Sequence, residues 1–208
     1  MRSCVSVVLV ALWLLGGGHA LAQSVQRPVY KVGDSWTYRY TDGPISYERW
    51  GNHYSTETKT VTSVAADYFE MSTLRESEGE KTSGIQLSSL DFNDFVQLAP
   101  ESPRQEVRAW QWPVDVGGTW RYEEPRRNET LVWEARVKGW EVVEVPAGKF
   151  RALKVERELI TASGSIGRSV TVWYSPEVKA NVKLESRGAV RSYTRINLTR
   201  ELLSYSVH

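Results

Sequence analysis

The chain has 208 residues, 26 Lys+Arg against 25 Asp+Glu, and a single cysteine. That balance argues against nucleic acid or an anionic membrane surface as the main partner, since both select a basic excess. One cysteine cannot make a disulfide scaffold, so stability has to come from a core, and a chain of this size buries roughly 70% of its unfolded surface.

The chain begins with Met1-Arg2-Ser3, the apolar run Val5 to Leu15, three glycines and the triplet Ala20-Leu21-Ala22. These are the three parts of a secretory leader, and cleavage is predicted after Ala22. The apolar run is about half the roughly 20 residues of a spanning helix, so residues 23–208 are expected as one exported β-rich domain and not an integral membrane protein. Cys4 leaves with the leader. A mature chain without cysteine suits the bacterial periplasm, or otherwise a secreted or cell-surface location.

The first element after the leader is the phrase Val32-Gly33-Asp34-Ser35-Trp36-Thr37-Tyr38, which returns as Val116-Gly117-Gly118-Thr119-Trp120-Arg121-Tyr122. Each reads as a glycine turn feeding a strand whose rings alternate with period two. Strands are predicted over 57–64 and 68–74. Leu87 to Val96 fits neither the helical nor the strand period, and a short helix is left open there. Leu98 to Arg104, with two prolines, is the linker candidate between halves 23–99 and 105–208.

The second half repeats the outline, with strands over 130–145 and 150–159 joined by a hairpin at Val145-Pro146-Ala147-Gly148. Ser175-Pro176-Glu177 and Arg187-Gly188 are expected to break the rest of the chain into further strands, and 182–187 alternates apolar and charged residues. The fold expected is all-β: an antiparallel curved sheet, as a sandwich or half-open barrel, built from two related β-meander halves.

Three phrases together carry a family likeness. Gly-x-x-Trp-x-Tyr, then the run Val145 to Val155, then Val172-Trp173-Tyr174-Ser175-Pro176-Glu177-Val178 with Val182-Lys183-Leu184-Glu185, resemble the TapB-like family of exported β-rich proteins of unknown function. Ser175 and Lys179-Ala180-Asn181 depart from that group's usual pattern. The likeness covers about 105–187 and the Trp36 phrase. It implies a periplasmic or surface location and a curved sheet, with no catalytic residues to carry over.

Reagents for chemistry are scarce. Beyond the leader the histidines are His53, in the turn-like segment Trp50 to Tyr54, and His208, the last residue and expected to fray. Asp91, Asn93 and Asp94 lack the glycine and distal Glu of a calcium loop and read as a solvated turn. Glu123, Glu124, Glu134 and Glu144 lie on predicted strands, where pairing with Lys or Arg across the ladder is the ordinary role. No catalytic residue, metal or cofactor is expected.

The unusual feature is aromatic content: ten tyrosines and nine tryptophans, one of the latter in the leader. Trp36 and Trp120 are expected in the core. Trp110 and Trp112 share a face, while Trp173 and Tyr174 point to opposite faces, so at least one of these two is expected to be exposed. Trp110, Trp112, Trp173 and Tyr174 are the ligand-binding candidates, because such rings suit contact with an apolar molecule. The function expected is a non-enzymatic exported β-domain binding a hydrophobic small molecule, a lipid or a polypeptide partner. The alternatives are a structural or interaction protein of the cell envelope and, behind it, a carboxylate-based hydrolase.

Overall fold

The structure, a computed structural model, describes residues 24–42, 53–161, 166–191 and 194–208. The predicted leader and residues 50–52 of the predicted turn around His53 lie outside the described residues.

The first six strands are β1 (Ser35–Asp42), β2 (His53–Val64), β3 (Tyr68–Ser77), β4 (Glu80–Ser89), β5 (Asp94–Val96) and β6 (Gln105–Val107). The next six are β7 (Thr119–Pro125), β8 (Thr130–Val145), β9 (Gly148–Ile160), β10 (Ile166–Ser175), β11 (Ala180–Arg191) and β12 (Thr194–Ser206). They form one antiparallel sheet in the order β6-β5-β4-β3-β2-β1-β12-β11-β10-β9-β8-β7. Each half is a meander in chain order, and the two are stitched together by pairing of β1 with β12. The sheet curls until its outer strands β6 and β7 lie side by side without a shared ladder, so the barrel is nearly closed.

The repeated phrase is repeated in three dimensions. Gly33 and Gly117 both sit at positive φ, +93° and +84°, where a side chain would be strained. The Gly33 N–H donates to Val61 O and the Val61 N–H to Asp34 O, and in the second half Gly117 donates to Val137 O and Val137 to Gly118 O. The ladders even share their irregularity: β2 bulges after Val61 opposite Met71, and β8 after Val137 opposite Val155.

Several sequence expectations change. His53 opens β2 instead of sitting in a turn. Leu87 to Val96 holds no helix: it is the end of β4, a turn in which the Phe92 N–H donates to Ser89 O, and β5. Leu98 to Arg104 is the loop of the β5–β6 hairpin, tied by Gln97 Nε2 to the oxygens of Pro100 and Ser102. The chain passes from one meander to the other between Val107 and Thr119. Gly188 does not end a strand but lies within β11. The hairpin after Val145 is found as read, with Val145 opposite Gly148.

Inward residues form two packed groups. One gathers Tyr30, Trp36, Phe69, Met71, Phe150 and Val178 around the 3-10 turn Pro176–Val178. The other gathers Trp110, Tyr122, Trp133, Leu153, Val155 and Tyr174.

Candidate functional site

Strand parity decides which polar residues enter the barrel. Trp36 and Tyr38 are buried, and their parity places Lys59 and Glu57, their partners on β2, on the same face. On β12, Arg200 faces Tyr40 across the β1 ladder and shares parity with the fully buried Leu202. On β9, Arg157 shares parity with the fully buried Val155 and pairs with the buried Ala135. Three cations are thus turned inward among rings.

They line a chamber of about 170 Å³ between the two packed groups, walled by Trp36, Tyr38, Trp110 and Leu184 as well as Lys59, Arg157 and Arg200. The Arg157 guanidinium lies 4.8 Å from the centre of the Trp110 ring, and that of Arg200 4.6 Å from the Tyr38 ring. These are cation–π contacts in a largely desolvated setting. Arg157 also hydrogen-bonds the Tyr122 hydroxyl, and Arg200 the Tyr40 hydroxyl. Lys59 Nζ donates to Gln86 Oε1 at 2.8 Å and lies 3.4 Å from Glu57 Oε2, which also accepts from the Tyr40 hydroxyl at 2.6 Å. Gln86 in turn donates to Asp94 at 2.7 Å.

The charges are shifted accordingly. Burial, with Arg200 nearby, pulls the Lys59 ammonium below its ordinary value, and burial does the same to the Arg157 guanidinium. Burial would raise the Glu57 carboxyl, but Lys59 and the Tyr40 hydroxyl outweigh it and hold the group below its ordinary value. Four buried atoms beside the chamber have no hydrogen-bond partner: Arg157 Nε and Nη2, Arg200 Nε and Asn181 Oδ1. A buried donor left so costs about 1–3 kcal/mol, more when charged.

Of the four aromatic candidates, three converge. Trp110 and Trp112 stack at 5.1 Å, and Tyr174 lies 5.4 Å from Trp110 and 5.1 Å from Trp112. Trp110 lines the chamber, with Trp112 and Tyr174 packed against it. Trp173 does not join them. It sits on the other face between the Lys154 and Lys183 ammoniums, its Nε1 donating to Glu141. Neither Trp173 nor Tyr174 is exposed: Trp173 belongs to the first packed group, with two lysine ammoniums over its ring, and Tyr174 to the second. Trp36 is a core residue as expected, its Nε1 donating to Val178 O at 2.7 Å. Trp120 is only half-buried, and its Nε1 has no partner.

The loop before β5 sets the Trp110 segment. Asn93, read as part of a solvated turn, is buried: its Oδ1 accepts from the Trp110 N–H at 2.7 Å and its Nδ2 donates to Trp110 O at 3.1 Å. Asp91 O accepts from Trp112 Nε1. An amide side chain can clamp a backbone unit in this way because it carries donor and acceptor together.

A larger groove of about 360 Å³ lies along β7, β8 and β9, lined by Trp120, Arg121, Glu134, Arg136, Glu156 and Glu158. Within it Arg121 pairs with Glu134, and Glu156 with Lys138. Of the other carboxylates read from the sequence, Glu124 is engaged by Arg126 and Trp133 Nε1 and Glu144 by Lys149, while Glu123 lies exposed on β7. His208 is not frayed, for its N–H donates to the buried Asp34 at 2.8 Å. Among the described residues no group of three His, Cys, Asp or Glu could hold a metal ion, and no helix is long and apolar enough to cross a membrane.

No family model matches the chain, and no curated protein matches it. Solved structures do. A candidate lipoprotein from Parabacteroides distasonis aligns with a TM-score of 0.51 at 12% identity, over 88% of this chain and all of its own. A candidate exported protein with a YmcC-like fold from Bacteroides fragilis aligns with a TM-score of 0.49 at 15% identity over 88% of this chain and 100% of that one. A β-barrel-like protein of the DUF1849 domain of unknown function from Brucella abortus gives 0.42 at 8% identity, over 86% and 99%. At such identities the likeness reaches the fold alone: this chain is similar in its barrel-like sheet to the Parabacteroides protein.

Proposed function

We propose that the chain is an exported, non-catalytic binding module, one β-rich domain over residues 23–208 that seats a small ligand in the chamber between its two meanders. The observation that carries this is a recess of about 170 Å³, open beside Asp94 and lined by Trp110 together with Lys59, Arg157 and Arg200. A core built for stability alone would fill that space with side chains. A recess of about 170 Å³ admits only a small ligand, or a small part of a larger one. Trp110 is the contact residue, and Trp112 and Tyr174 hold it in place; Trp173 has no part in the site. The leader at 1–22 and the TapB-like phrases support export, with the periplasm as the destination.

An envelope protein acting through a free strand is the second reading, because β6 and β7 share no ladder and each leaves an outer edge. It ranks below the first. The β7 edge is short, ends in Pro125 and carries Arg121, Glu123 and Glu124, features that discourage strand addition. A hydrolase ranks below both, since Glu124, Glu134 and Glu144 are each held in an ion pair.

The test is native mass spectrometry of the protein recovered from an envelope fraction without denaturation. A small-molecule adduct is expected, lost on unfolding and reduced in Ala109→Phe, which adds bulk to the chamber wall. A protein that carries no adduct and takes up none of a panel of fatty acids, phospholipids and apolar peptides contradicts the proposal.

A further inference from the structure

The chamber is not a generic apolar hollow, because its polar inventory is unequal. Three cations, Lys59, Arg157 and Arg200, line it against one carboxylate, Asp94, with Glu57 behind Lys59. Both carboxylates are already used: Glu57 by Lys59 and the Tyr40 hydroxyl, and Asp94 by Gln86 and by Ser88 Oγ at 3.3 Å. Lys59 is satisfied by Glu57 and Gln86. Arg157 and Arg200 make no ion pair among the described residues, and each keeps a buried Nε without a partner.

In Arg157 the two unpartnered atoms are Nε and Nη2. These form one side of the guanidinium fork, whose parallel N–H groups match the two oxygens of a carboxylate or phosphate. Apart from the Trp110 ring and the Tyr122 hydroxyl that Arg157 already engages, no acceptor among the described residues reaches its Nε–Nη2 edge, which leaves that edge to a ligand. The remaining wall is apolar, with Met71, Phe92, Val107 and Leu184 beside the rings, and the exposed Asp94 marks the side on which the chamber meets solvent.

From this arrangement we infer that the chamber takes a small oxyanion, a carboxylate or a phosphate monoester, carried on a short apolar stem. The oxyanion sits on Arg157 and Arg200, and the stem lies against Trp110 and Leu184. A neutral apolar ligand would leave the guanidinium donors unsatisfied, and a cationic one would add a fourth positive charge to a desolvated space. The inference rests on the binding reading and specifies the chemistry of its ligand.

The experiment is calorimetric titration of the whole mature chain with hexanoate, hexyl phosphate, hexan-1-ol and hexylammonium. Both anions are expected to bind, hexanol at least about tenfold more weakly, and hexylammonium not at all. The better of the two anions identifies the source as carboxylate or phosphate. Arg157→Met should weaken both anions by about tenfold or more while leaving hexanol within twofold, and Arg157→Lys, which keeps charge without the fork, should fall between. If circular dichroism shows that Arg157→Met does not fold, Arg200→Met takes its place with the same expectation. Hexanol binding as tightly as the anions overturns the oxyanion inference and leaves the binding reading standing. Failure of all four probes also overturns it, and the adduct measurement then decides the binding reading separately.

Discussion

Replacing Asp34 with alanine should lower the free energy of unfolding by about 3 kcal/mol, read as a drop in the urea midpoint with an unchanged slope. Asp34 is fully buried and joins three distant pieces of chain. Its Oδ2 accepts from Lys179 Nζ at 2.8 Å and from the Lys31 N–H at 3.0 Å, and its Oδ1 from the His208 N–H at 2.8 Å. Lys179, whose side chain is only 16% exposed, also donates to the His208 main-chain oxygen. Alanine would leave that ammonium and two N–H groups without their acceptor. Asn would retain part of the hydrogen bonding and should cost less. The same site sets an acid limit. Burial works to raise the Asp34 carboxyl, but the hydrogen bonds from Lys179, Lys31 and His208 prevail and hold it below the ordinary 3.8. Its stabilisation is therefore complete above the unfolded-chain value and fades as pH falls through the lower folded one. In Asp34→Asn that part of the acid-induced loss should disappear.

Gly188→Val should cost about 3 kcal/mol or more and loosen the β10–β11 ladder, seen as lost amide protection across 168–175 and 180–188. Gly188 lies opposite Arg168 at φ +145°, and a Cβ there would stand 2.7 Å from Arg168 Cα and 2.8 Å from Gly167 O. Both neighbours are backbone, so no side chain can turn aside. Gly79→Ala is the matched comparison. Its φ of +85° carries the same kind of conformational penalty, but nothing lies within 4 Å, and the loss should stay near 1 kcal/mol.

The contrast explains why the sequence misleads at Gly188. Glycine after Arg187 reads as a turn signal, yet its role is close approach of two strands, which has no local signature. Where turn chemistry and period two act locally, at the Trp36 and Trp120 phrases and at Val145 to Gly148, the reading and the structure agree. Asn93 was hidden because its partners on Trp110 are brought near by pairing of β5 with β6 across a loop, and the acidic neighbours Asp91 and Asp94 pointed to solvent.

The chamber cations did leave a trace. Arg157 shares parity with Val155 and Leu159, Lys59 with Val61, and Arg200 with Leu202, so each is a charge set into the apolar register of its strand. In the run Glu156-Arg157-Glu158 that trace is masked by flanking charges of the outer face. Trp173 is the converse case: its aromatic character suggested a binding surface, and it lies buried in the first packed group beneath lysine ammoniums from two neighbouring strands.

The most direct measurement is the Nε–H spectrum of nitrogen-15-labelled arginine in the folded chain as hexyl phosphate is added. Occupation of the chamber by an oxyanion predicts shifts and slowed solvent exchange at the resonances assigned to Arg157 and Arg200. Shifts confined to exposed arginines such as Arg27 and Arg108, with Arg157 and Arg200 unmoved, would contradict it.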